Sequence, residues 1–64
     1  MRASKSLQER QNELRALLAT REGRNELEGL ASRYYAAGGR VRVEGTSLIT
    51  YILVYEREQG LIHN

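Results

Sequence analysis

At 64 residues, with no Cys, no Phe, no Trp and a single Met, the chain has material for one small core and no disulfide or cysteine-ligated metal to staple it. Ten Lys or Arg stand against eight Asp or Glu, a net charge of +2. Without clustering, that balance gives only weak support for a nucleic-acid partner. A chain this small buries only about 60% of the surface its unfolded form exposes, so self-association is a common remedy.

Met1-Arg2-Ala3-Ser4-Lys5 is basic, but it leads into polar, amphipathic sequence without the apolar core of a secretory signal. Residues 1–4 are expected to fray. Ser4 or Ser6 can cap a first helix, and Ser6 with Glu9 has the Ser-x-x-Glu spacing of a capping box. Leu7, Leu14, Leu17 and Leu18 then recur on one helical stripe. The stripe is thin between Leu7 and Leu14, where Arg10 and Gln11 stand at positions that call for apolar residues. The first turns are therefore expected to be loosely held.

Thr20 predicts a second N-cap, with Glu22 placed favourably for the helix dipole. Asn25 with Glu28 is an alternative start. Gly23 weakens the earlier start by about 1 kcal/mol relative to Ala. Leu27, Leu30, Ala31 and Tyr34 form the stripe of this helix. Adjacent Tyr34 and Tyr35 cannot both face one core, so Tyr35 is expected outside. Gly29 either admits a neighbouring backbone or is simply tolerated. Gly38-Gly39 stops the helix, and the short connection at Thr20 predicts an antiparallel helical hairpin.

Residues 40–44 alternate strictly, with Val41 and Val43 on one face and Arg40, Arg42 and Glu44 on the other. A strand here needs a partner for its backbone groups. Three are available: the same strand in a second chain, Leu61-Ile62, or the following apolar run through a turn at Glu44-Gly45-Thr46. The competing reading is an extended loop that drops both valines into the core.

The run from Ser47 to Tyr55 is the long apolar stretch of the chain. Its β-branched and aromatic residues suit a strand. Its ends suit a helix: Thr46 or Ser47 as N-cap, Glu56-Arg57-Glu58-Gln59 as helix formers, Gly60 at the left-handed C′ position and Leu61 at C″. Strand alternation is absent, and the caps favour the helix. A helix apolar on nearly all sides is a buried one. The run is far too short for a membrane span, which takes ~20 residues. The fold expected is mostly α. It is a single small domain over residues 1–64, with three helices, the third central, and a short extended segment or strand between helices 2 and 3. Residues 63–64 are expected to fray with the tail.

No catalytic constellation is legible. His63 stands beside the end of the chain, Asp and Cys are absent, and no Ser or Thr has an evident positioned base. Glu9, Glu13, Glu22, Glu26 and Glu28 read as solvated helix faces. No metal site, cofactor or small-molecule substrate is implied. Nine of the ten cations are Arg. That bias fits a GC-rich coding sequence or, more pointedly, recognition of phosphate or carboxylate by the bidentate guanidinium.

The favoured expectation is a cytoplasmic, non-enzymatic interaction module, a homodimer or the partner of another protein, with Tyr35, Tyr51, Leu53 and Val54 as interface candidates. The alternative is a small regulatory DNA- or RNA-binding protein using Arg33, Arg40 and Arg42. Two such strands paired across a dimer would form a ribbon able to enter a major groove. That ribbon superficially resembles the one in ribbon-helix-helix repressors. In those proteins the strand precedes both helices, whereas here two helices precede it, so no residue is carried over. A helix-turn-helix is strained as well, because about eight residues separate the second helix from the third, where three or four are usual.

Overall fold

The computed structural model describes residues 5–64. Residues 1–4, where fraying is expected, and Ser4 as an alternative cap lie outside the described residues. Three helices, α1 (Leu7–Leu17), α2 (Arg21–Ala36) and α3 (Leu48–Glu58), pack pairwise around one core. Two short strands, β1 (Lys5–Ser6) and β2 (Ile62–His63), pair in parallel and tie the two ends of the described chain together.

The helices begin where local chemistry supplies a cap. The Ser6 hydroxyl accepts from the Glu9 N–H, and the Glu9 carboxylate accepts from the Ser6 N–H, a complete capping box. The Thr20 hydroxyl accepts from the Gly23 N–H at 2.9 Å, which selects Thr20 over Asn25 as the start of α2. Ser47, not Thr46, caps α3 by accepting from the Thr50 N–H. Two stops follow the Schellman pattern. Gly38 (φ 103°) donates to the Tyr35 carbonyl and Gly39 to that of Tyr34; Gly60 (φ 76°) donates to the Arg57 carbonyl and Leu61 to that of Glu56.

The central apolar run is thus a helix in spite of its β-branched residues. Among the described residues the only strands, β1 and β2, pair with each other and leave it no ladder, and its buried side chains, Tyr51, Ile52, Leu53 and Glu56, are covered by α1, α2 and β2. The core joins Leu14 of α1, Leu27 of α2, Ile52 and Leu53 of α3, and Ile62 of β2. Leu7, Leu17, Leu30 and Tyr34 pack against it. Each fully buried aliphatic side chain stabilises by roughly 1.5–3 kcal/mol, a large share of what a domain this small has in total.

Several expectations are corrected. Leu18, read as part of the α1 stripe, is the C-cap residue and is exposed, because the helix ends one residue before it. Gly29 is the simply tolerated glycine of its two readings, and the close backbone approach is found at Gly23. A Cβ on Gly23 would stand 2.0 Å from the Leu17 carbonyl oxygen, whereas one on Gly29 would meet nothing. The first turn of α1 is anchored by β1 and by Arg10, as described below. His63, expected to fray, is held by its bridge to Ser6. Residues 40–44 form no strand, and the two valines of that extended segment stay out of the core.

Candidate interaction surface

The segment between α2 and α3 is positioned from both ends and from beneath. Gly39 follows the α2 stop, and a Cβ there would clash with the Tyr34 carbonyl at 2.7 Å and the Tyr51 hydroxyl at 2.9 Å. The Tyr51 hydroxyl passes under the segment and donates to the carbonyl of Arg40. At the far end the Thr46 N–H donates to the Val43 carbonyl at 3.0 Å and closes a turn with Gly45 at φ 93°. Because Glu44 keeps a negative φ, this is a type II turn, which needs glycine at its third position.

So held, residues 40–43 run extended across α3 with their side chains in solvent. Val41 is 72% exposed and Val43 71%. With Thr50, Val54 and Tyr55 of α3 they line a shallow groove, flanked by Arg40, Arg42 and Glu58. Val54, 46% exposed, continues the apolar surface into a second hollow with Leu7, Leu53 and Arg57. On the other side of the segment, Tyr35, Arg42, Glu28 and Leu48 line a third.

The four interface candidates divide. Tyr35 and Val54 are exposed, whereas Tyr51 and Leu53 are buried, Tyr51 as the pin under Arg40 and Leu53 as part of the core. The arginines also divide. Arg40 pairs with Glu58 at 2.9 Å, Arg42 has no ion-pair partner among the described residues and lies beside the groove, and Arg33 is exposed in the last turn of α2. Val41 and Val43, read as strand or core, are the surface residues that the sequence reading missed. Strict alternation marked them as sharing a face, but alternation does not say whether that face is covered.

A second feature is polar and closed. Glu56 of α3 is 2% exposed. Arg10 grips its carboxylate bidentately, Nε to Oε1 and Nη2 to Oε2, both at 2.8 Å. The Tyr34 hydroxyl donates to Oε2 at 2.6 Å. The Tyr34 ring stacks on Tyr55, with centroids 4.2 Å apart. All three helices therefore meet at one carboxylate. The bond to Glu56 keeps Arg10 protonated well above its ordinary range. Burial, and then the bond to Glu56, push the Tyr34 phenol up to about 12. Among the described residues no buried side-chain polar atom lacks a partner, which leaves this carboxylate engaged and unexposed. The signal for it was in the sequence as two misfits of opposite charge: Arg10 on the α1 stripe, and Glu56 on the stripe of the apolar helix.

Among the described residues, no three His, Cys, Asp or Glu side chains come together as a metal-binding group. No helix of the described residues is long and apolar enough to cross a membrane. Compared with known proteins, the chain matches no family model, and neither the curated proteins nor the solved structures give a match.

Proposed function

We propose that the chain is a self-associating protein–protein interaction module that binds through the open groove formed by residues 41–43 and the outer face of α3. What supports this is the exposure of Val41 and Val43 on an extended segment, beside exposed Val54. Aliphatic side chains at that level of exposure, in one contiguous strip, form the kind of patch that marks an interaction site. The Val41 N–H and C=O, without a hydrogen-bond partner among the described residues, add main-chain hydrogen bonding to it. On this reading the chain performs no chemistry of its own, since its buried carboxylate is fully held by Arg10 and Tyr34.

Sedimentation equilibrium over a wide concentration range tests the reading. A monomer–dimer equilibrium is expected, and the double variant Val41→Lys with Val43→Lys should stay monomeric while keeping its helical circular dichroism. A parent chain that remains monomeric throughout overturns self-association.

A further inference from the structure

We infer that two copies join as an antiparallel two-stranded ribbon centred on Arg42, with Arg40 opposite the partner's Glu44 and Val41 opposite the partner's Val43. This rests on the self-association reading above and adds its geometry. The first support is the direction of the backbone. In extended chain, the N–H and C=O of one residue leave on the same edge, and those of its neighbours on the other. The Arg40 carbonyl is turned toward α3, where the Tyr51 hydroxyl donates to it. Val41 and Val43 therefore present their backbone groups to the opposite edge, where the Val43 carbonyl already accepts from the Thr46 N–H and keeps its second lone pair for a partner. Among the described residues, the Val41 N–H and C=O take part in no hydrogen bond. The type II turn leaves Glu44, its second residue, with the extended backbone needed to continue the edge.

The second support is charge register. An antiparallel self-pair that keeps the valines on a common face is centred on Val41, Arg42 or Val43. Centred on Val41, it sets Arg40 against the partner's Arg42 twice, and like charges directly opposite repel. Centred on Val43, it needs Gly45 as a strand residue, whereas Gly45 has φ 93° inside the turn. Centred on Arg42, it forms two Arg40–Glu44 pairs and two Val41–Val43 pairs, against one Arg42–Arg42 contact on the axis. The valine pairs are then the hydrogen-bonded ones. The Arg40–Glu44 pairs fall at the closer, non-hydrogen-bonded sites, where facing Cα atoms are about 4.5 Å apart. Arg40 is free to change partner, because its present pair with Glu58 is exposed and such pairs hold little energy. A standard interface covers ~800 Å² per partner, about a sixth of the 4795 Å² of the chain. The ribbon alone is smaller than that, so Thr50 and Val54 beneath it join the contact.

The test is a charge swap read by sedimentation equilibrium, with circular dichroism to establish that each variant is folded. Arg40→Glu alone places two carboxylates opposite each other, and Glu44→Arg alone places two guanidinium groups opposite each other. Each should weaken self-association roughly tenfold, as expected when two facing attractive pairs turn repulsive. Mixed in equal amounts, the two variants should form a heterodimer about as tight as the parent, since both pairs are again complementary. Arg42→Gln should bind itself more tightly than the parent by removing the repulsion on the axis. If the parent dimerises but the single variants do so equally well, or the mixture is no tighter than its components, the register is wrong and self-association stands. If Arg42→Gln is no tighter, the pairing is not centred on Arg42. A parent that is monomeric alone, or that associates only on added duplex DNA or RNA, overturns both readings.

Discussion

The Glu56 corner and the Val41–Val43 rim invert the usual distribution of side chains. At the corner, a carboxylate, a guanidinium and a phenol sit among the helices, and each charged or polar atom has a partner. At the rim, aliphatic side chains stand in water, and the Val41 N–H and C=O have no hydrogen-bond partner among the described residues. The corner serves one molecule, because its groups satisfy one another completely. The rim is left to solvent by the described fold. The difference shows that exposure and satisfaction, more than polarity, separate residues that hold the fold from residues that are available to a partner.

The largest effect is expected from breaking the corner. Glu56→Ala leaves the Arg10 guanidinium and the Tyr34 hydroxyl without their acceptor, and breaking such a buried pair costs about 3 kcal/mol or more. A domain of this size has roughly 3–10 kcal/mol in total, so urea denaturation should find the variant largely unfolded or close to it. Combining Arg10→Leu, Tyr34→Phe and Glu56→Leu should recover most of the loss, because an apolar replacement of similar volume leaves nothing unpaired. If Glu56→Ala melts like the parent, the corner does not hold the helices together.

Next come the two glycines of α2, which test the close approach of the end of α1 to α2. Gly23→Ala drives a Cβ into the Leu17 carbonyl, and a net loss of about 2 kcal/mol is expected after the gain in helix propensity is subtracted. Gly29→Ala meets nothing and should gain about 1 kcal/mol. Opposite signs in thermal melts support the tight α1–α2 corner, and equal signs contradict it.

A smaller effect is expected in alkali. The folded state raises the Tyr34 pKa from 10.0 to about 12, so the fold favours the neutral phenol. That contribution is complete below the unfolded value and is lost as pH rises from 10 through about 12. Phenolate absorbance should show a late step that Tyr34→Phe removes. The smallest effect on stability belongs to the rim. Val41→Lys with Val43→Lys should change the unfolding free energy of the monomer by less than about 0.5 kcal/mol, as exposed substitutions do. A large loss would show that the segment is needed for the fold itself.

Helix boundaries were legible because the groups that set them lie close together in sequence. The Ser6–Glu9 box, the Thr20 and Ser47 caps, and the stops at Gly38 and Gly60 each join atoms a few residues apart, and spacing narrows them to one or two candidates, with Asn25 and Thr46 as the rival caps. The outward placement of Tyr35 followed from adjacency to Tyr34. The corner was not legible in the same way. Arg10 and Glu56 are 46 residues apart, and the sequence showed only two charges at apolar positions without showing that they meet. Gly23 and Gly29 look alike in the chain, and only the path of the preceding helix distinguishes them.

The sequence by itself therefore favoured three helices, narrowed each start to two candidate caps, and marked an extended segment or strand before the apolar third helix. Local hydrogen bonds and side-chain periodicity decide these, and both are written at short range. The tertiary structure alone decided that β1 pairs with β2, that Arg10 and Tyr34 close on Glu56, and that Val41 and Val43 face solvent. Those outcomes depend on which surfaces remain uncovered once the helices have packed, and coverage is a property of the assembled core that no single segment carries.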